Sequence, residues 1–275
     1  MKIFNSIKEM QVFSLSSKRD GKKVAVVPTM GFLHEGHMSL IDIAKKEADI
    51  VVVTIFVNPT QFGPNEDFSR YPRDFERDSR LCHERGTDAI FAPEASEMYP
   101  TGASTWITED SLSKGLCGKS RPLHFRGVTT VVAKLFNAVL PDLAVFGQKD
   151  AQQLAVIKRM VRDLNFPVKI IAGPIVREAD GLAMSSRNKY LSPDERKNAL
   201  SISSALREAG KKIFGDSAGL RDFVSSKISS NGGRVDYVEV VDAETLEPDC
   251  NFERPLLIAV AAYFGTTRLI DNTII

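Results

Sequence analysis

Short apolar runs bounded by polar turns recur at residues 24–28, 50–57, 89–92, 143–146 and 168–172. Between them, over 38–47, 75–85, 128–139 and 151–164, apolar residues return at three- and four-residue steps, the period of a helix with one buried face. Runs as continuously apolar as Ile50-Val51-Val52-Val53 suit strands covered on both faces, and their alternation with helices predicts βαβ units. The expected fold class is α/β, with a doubly wound, Rossmann-like parallel sheet. After Pro174 the pattern changes to two helical stretches, 193–214 and 220–229, and three strand-like runs at 235–241, 256–264 and 268–274. That order predicts a second, smaller α+β domain with a short antiparallel sheet, and domains of 1–175 and 176–275.

The chemistry-bearing residues gather where these strands end, the edge at which an open parallel sheet binds ligands. The first run leads into Thr29-Met30-Gly31-Phe32-Leu33-His34-Glu35-Gly36-His37 and then a helix. A helix N-terminus there points free N–H groups at an anion, Gly31 and Gly36 let backbone approach it, and His34 and His37 share one face. Zinc is a poorer reading, because a metalloprotease helix spaces its histidines at i and i+4 with an intervening Glu. The second run leads into Asn58-Pro59-Thr60-Gln61-Phe62-Gly63, whose amides suit a hydroxyl and a carboxylate, although an Asn-Pro turn also ends a strand for structural reasons alone.

The run at 143–146 leads into Gly147-Gln148-Lys149-Asp150. Asp150 suits a helix cap or a ribose hydroxyl, whereas a lysine at a helix start has little structural use unless an anion binds there. Ala183-Met184-Ser185-Ser186-Arg187-Asn188 opens the second domain with two hydroxyls and a guanidinium, suited to closing over a triphosphate, or alternatively a serine-rich linker. Arg121 and His124 are candidates to reach the site, while Arg126 reads as surface. Ser113 to Ser120 nearly spells a P-loop but lacks its first glycine and its strand-to-helix context.

Composition narrows the functional classes. With 43% hydrophobic residues in 275, the chain buries a sizeable core, and 36 basic against 35 acidic residues leave no electrostatic footprint for nucleic acid or an anionic membrane. Cys82, Cys117 and Cys250 are far apart and fit neither a disulfide framework nor a zinc site. Without an apolar run of about 20 residues or a signal-like start, the expected location is cytoplasmic.

The segment from Met30 to His37 resembles the HIGH-type signature of the nucleotidylyltransferase superfamily, and Met184-Ser185-Ser186-Arg187 resembles its KMSKS-type partner. Together with Asn58 to Gly63, Tyr71-Pro72-Arg73, Phe146 to Asp150 and Arg177 to Asn188, the chain resembles the pantothenate synthetase family over nearly its whole length. The resemblance implies ATP-dependent joining of pantoate to β-alanine through a pantoyl-adenylate, with Mg²⁺ required, in a homodimer whose smaller domain acts as a lid. It assigns ATP to Met30, Gly31, Phe32, Leu33, His34, Glu35, Gly36, His37, Gly147, Gln148, Lys149, Asp150, Val176, Met184, Ser185, Ser186 and Arg187. Gln61 and Gln153 would bind pantoate, Gln61 also lying near β-alanine with Asn58 close by. His37, His34, Lys149 and Arg187 would act on the phosphates, His37 as proton donor, with no metal ligand from the protein. Phe32 stands where Ala is common in the family, which would narrow the pocket locally. Another nucleotidylyltransferase remains the alternative, and a nucleotide-binding module without chemistry is a rival of a different class.

Overall fold

A computed structural model describes residues 1–64, 66–248 and 255–275. The chain forms two compact units, one of Met1–Asp110, Arg121–Gln148 and Val156–Pro174, the other of Ser111–Ser120, Lys149–Ala155 and Ile175–Ile275.

In the first unit the apolar runs build one six-stranded sheet. Strands β1 (Lys2–Phe4), β2 (Val24–Thr29), β3 (Ile50–Ile55), β4 (Ala89–Phe91), β5 (Leu143–Gly147) and β6 (Lys169–Gly173) lie in the order β1-β4-β3-β2-β5-β6. Every neighbouring pair is parallel, and Val26 is in register with Val52 on one side and Ala144 on the other. Val24 to Val27 and Val51 to Val53 are at most 1% exposed, so side chains on both faces are covered and the sequence shows no alternation. Each such valine stabilises the fold by roughly 1.5–3 kcal/mol relative to exposure.

Helices α1 (Ile7–Arg19), α2 (Glu35–Glu47), α3 (Phe75–Glu84), the short α4 (Ala95–Met98) and α6 (His124–Val139) belong to this unit. Met38, Ile41 and Ala44 of α2 pack into the core with Val27, Val51 and Val145. The chain runs from β2 outward through β3 and β4, then returns to place β5 on the opposite side of β2. Strand order therefore reverses between β2 and β5, and their carboxyl ends flank a switch-point crevice.

The second unit contains α5 (Leu116–Ser120), the first turns of α7 (Ala151–Asp163), α8 (Pro193–Ala209) and α9 (Ser217–Ser229). Its antiparallel sheet has β7 (Arg234–Asp242), β8 (Leu256–Phe264) and β9 (Thr267–Ile274) in that order. Ile202, Leu206, Val224, Ile228, Val240, Ile258 and Phe264 form its core. Helix α8 starts where Ser192 and Glu195 cap each other's backbone N–H, with Pro193 at the first position. It stops at Ala209, short of the expected residue 214, because Gly210 caps it and Ile213 beyond is fully solvent-exposed. The near-P-loop run does end in a short helix, α5, which the sequence pattern does not announce. Its backbone is engaged by protein: Cys117 N–H donates to Gln152 Oε1 (2.9 Å), and Gln152 Nε2 donates to the Leu112 and Gly115 carbonyls (2.8 Å each). Among the described residues, no helix is long and apolar enough to cross a membrane.

Candidate active site

The loop leaving β2 is fixed by hydrogen bonds from the strand's last residue. Thr29 Oγ1 donates to the Thr54 carbonyl (2.6 Å) and accepts the Gly31 N–H (3.1 Å). Helix α2 then begins with His34 as its N-cap. The Gly36 N–H donates to His34 Nδ1 (3.1 Å), and the His34 N–H donates to His37 Nδ1 (3.3 Å). A ring nitrogen that accepts carries no proton, so each neutral imidazole holds its hydrogen on Nε2. The two rings, 4.1 Å apart between centroids, thus each carry an Nε2–H donor at a helix start that already favours negative charge. We expect ¹⁵N-edited NMR above the histidine titrations to show the Nε2–H tautomer for both; an Nδ1–H signal from either would contradict the capping geometry.

The other residues of this loop differ in what they offer. Leu33 is a core residue, so only its backbone is available to a ligand. Glu35 is exposed and pairs with Arg85 at 3.1 Å. The Phe32 ring lies under the Arg77 guanidinium, 5.2 Å from its central carbon.

At the end of β3, Asn58 is 1% exposed and its amide is fully engaged. Its Nδ2 donates to Gln61 Oε1 (3.1 Å) and to the Gly127 carbonyl (3.2 Å), and its Oδ1 accepts from Tyr99 Oη (2.9 Å) and Thr60 Oγ1 (3.0 Å). This orients Gln61: with Oε1 held by Asn58, Nε2 is the end that faces the Met30 sulfur (3.3 Å). Gln61 thus turns its donor end, Nε2, away from Asn58, a chemistry suited to hydroxyl and carboxylate oxygens, and Asn58 sets that orientation. His124 Nδ1 bonds the Gln61 carbonyl at 2.9 Å and Arg121 donates to the same oxygen at 3.2 Å. Arg121 also grips Glu66 (2.6 Å); burial works against the Glu66 carboxylate, but the guanidinium outweighs it and holds its pKa below the usual value.

Gly127 lets α6 approach this turn, since a Cβ there would come within 2.5 Å of the Thr60 carbonyl oxygen and 2.7 Å of Gln61 Cα. Gly127→Ala is expected to destabilise the protein by about 1–3 kcal/mol through backbone displacement, read as a lower denaturant midpoint. An unchanged midpoint would mean that the turn yields freely.

Within the second unit, Lys149 lies two residues beyond the end of β5, and its Nζ donates to the Met184 carbonyl (3.4 Å) and lies 3.9 Å from Asp150. Asn272 Nδ2 donates to the Lys149 carbonyl at 2.9 Å. Residues 176–184 form a tight hairpin in which Met184 N–H donates to the Val176 carbonyl (3.0 Å) and Gly181 takes φ +96°. Arg177 clamps it through Asp271 (2.6 and 3.0 Å), and Arg196 through Glu178 and Asp180 (2.8 and 2.7 Å). Ser185 then caps a 3-10 turn, Ser186–Tyr190, by accepting the Arg187 N–H. The Met184 to Arg187 segment is thus a braced turn with partly exposed side chains, unlike a serine-rich linker. Gln153 is half-buried on α7.

Sequence reasoning missed Asp78, Tyr99, Gly127 and the Arg177–Asp271 pair. Asp78 left one signal: it lies four residues before the buried Cys82, so a carboxylate occupies the apolar face of α3.

A histidine-capped helix after β2 and an oriented amide after β3 stand at the carboxyl edge of a parallel α/β sheet, the edge at which such sheets bind ligands. A family model described as pantoate-beta-alanine ligase matches residues 2–274. The pantothenate synthetase of Sulfurihydrogenibium sp. (strain YO3AOP1) is 55% identical over 278 residues, 99% of each chain. That of Thermotoga petrophila is 55% identical over 279 residues, covering both chains completely. The crystal structure of pantothenate synthetase from Thermus thermophilus superposes with a TM-score of 0.92 at 45% identity over 99% of each chain. A pantoate–β-alanine ligase from Francisella tularensis, complexed with β,γ ATP and β-alanine, gives 0.85 at 36% identity over 100% of this chain and 97% of that one. The chain belongs to the pantoate–β-alanine ligase family. Its relatives share ligase function, in place of the nucleotide transfer kept open as an alternative.

Proposed function

We propose that the chain joins pantoate to β-alanine at the expense of ATP, through a pantoyl-adenylate, and that the residues described above carry both steps. The observation that carries this reading is the fixed amide of Gln61, a neutral donor for an oxygen-rich acid, placed beside the Met30 that opens the histidine-capped loop. ATP is assigned to Met30 to His37, Gly147 to Asp150, Val176 and Met184 to Arg187, and pantoate to Gln61 and Gln153. Asn58 orients Gln61.

In the first step a pantoate carboxylate oxygen attacks the α-phosphorus in line, the bond to the bridging oxygen breaks, and pyrophosphate leaves. Charge moves onto the leaving group, so catalysis asks for positioned donors more than for a protein nucleophile. The Nε2–H groups of His34 and His37, Lys149, Ser185, Ser186 and Arg187 supply them; a neutral His37 whose Nδ1 accepts gives a hydrogen bond and keeps its proton, in place of the proton donor expected from sequence. In the second step the β-alanine amine attacks the mixed anhydride, AMP leaves, and the nitrogen loses its extra proton. Water must be kept from the anhydride, the role proposed for the second domain, residues 176–275, as a lid over residues 1–175.

The donors in both loops are N–H, hydroxyl and cationic groups, suited to phosphate and not to a divalent ion. Mg²⁺ is therefore proposed to sit on phosphate oxygens and water, where it neutralises charge when bound. A homodimer is proposed on the strength of the family resemblance, and light scattering tests it. A cytoplasmic site is supported by the free, buried Cys82; burial pushes its thiol to about 12, which keeps it unreactive. Cys250 lies outside the described residues.

The test is to give the purified protein ATP, Mg²⁺, pantoate and β-alanine and to follow products by mass spectrometry. Pantothenate, AMP and pyrophosphate in equal amounts are expected. ADP and phosphate in their place would overturn the adenylate route.

A further inference from the structure

We propose that Asp78 is a positioning residue for the β2–α2 loop, holding Gly31-Phe32-Leu33 in the left-handed turn that sets the start of α2. The proposal rests on reading that loop as the ATP site.

Gly31 has φ +83° and Phe32 φ +49°, so two consecutive residues are left-handed and the second carries a β-carbon. Such a conformation persists only where its surroundings impose it. Here the surroundings are two adjacent residues of α3. Asp78, 1% exposed, accepts the Phe32 N–H on Oδ2 at 2.6 Å and the Leu33 N–H on Oδ1 at 2.8 Å. Arg77 approaches Asp78 Oδ1 at 3.5 Å while its guanidinium covers the Phe32 ring. The fit is close on the other side too, since a Cβ at Gly31 would meet Asp78 Oδ2 and Ile55 Cγ2 at 3.1 Å.

The chemistry explains why an acid stands there. Two converging N–H groups need two acceptor atoms on one short side chain, and a carboxylate supplies them. An asparagine offers one oxygen and turns its NH₂ against the other donor. Burial pushes the Asp78 carboxyl up, while the Leu33 and Phe32 N–H groups and Arg77 favour its ionised form. The Phe32 ring in turn gives Arg77 a surface to hold.

Asp78→Asn tests this by hydrogen exchange on the nucleotide-free protein together with the kinetics of pyrophosphate formation. Loss of one buried charge-assisted bond predicts about tenfold faster exchange at residues 30–34 and about a tenfold higher KM for ATP, with KM for pantoate within about twofold of wild type. Wild-type exchange and ATP KM would overturn the proposal. So would exchange raised uniformly across the first unit with an unchanged ATP KM, which is what a merely structural role predicts. Should Asp78→Asn fail to fold, Arg77→Ala loosens the same loop and is expected to raise exchange at 30–34 by about threefold; no change there would equally overturn it. Because exchange is measured without nucleotide, it stands even if wild-type protein makes no adenylate, and that outcome would count against the ligase reading alone.

Discussion

Replacing Lys149 with alanine is expected to lower pantoate-dependent pyrophosphate release by about 10²–10³-fold while leaving the fold intact. Within the second unit the ammonium touches the Met184 carbonyl and Asp150, and it is partly exposed, so its removal leaves no buried partner unsatisfied. Stability should therefore change by no more than about 0.5 kcal/mol. The rate should suffer because a positive charge at a helix start is useful when an anion binds there, and a departing pyrophosphate is that anion. Arginine should restore little, since a planar fork does not reproduce a compact point charge. Single-turnover rates and thermal melting of Lys149→Ala check both halves, and a wild-type rate would remove Lys149 from the site.

The second large effect is expected at Gln61. Gln61→Glu preserves shape but replaces the Nε2 donor with an anionic oxygen, in a position 9% exposed and beside Met30. Both proposed substrates are carboxylates, so the variant combines a lost donor with like-charge repulsion in a poorly solvated place. A loss on the order of 10²-fold or more in kcat/KM for pantoate is predicted, with ATP binding nearly unchanged. Wild-type kcat/KM for pantoate would show that the donor orientation imposed by Asn58 is irrelevant to the substrate.

The strands were legible because both-face burial leaves a plain mark, as in Ile50 to Val53, and the motif loops were legible because they follow those strands. Elements with weaker marks escaped. Strand β1 is three residues at the sheet edge with Lys2 and Ile3 exposed, so no apolar run announces it. Helix α1 hides partly because Ser14 and Ser17 are buried while Val12 and Leu15 are exposed, which blurs the apolar stripe.

At the site, the residues proposed to touch a ligand belong to types whose chemistry is readable: histidine, lysine, glutamine and arginine next to glycine. Residues that act through them are not readable in that way. Tyr99 lies 41 positions from Asn58, and Asp78 46 from Phe32, and both pairings exist only after the sheet has formed. Nothing in the sequence around Gly127 announces that the Thr60 carbonyl packs against it. Orientation is the other thing that sequence withholds, since Asn58 and Gln61 read as two equivalent amides but one is buried to aim the other.

The most direct test of the proposed mechanism is to run the reaction with pantoate labelled by ¹⁸O in its carboxylate and to analyse the products by mass spectrometry. Attack of that carboxylate on the α-phosphorus predicts one ¹⁸O in AMP and none in pyrophosphate. AMP free of label, with ¹⁸O appearing in inorganic phosphate, would show activation at the γ-phosphorus and contradict the acyl-adenylate mechanism.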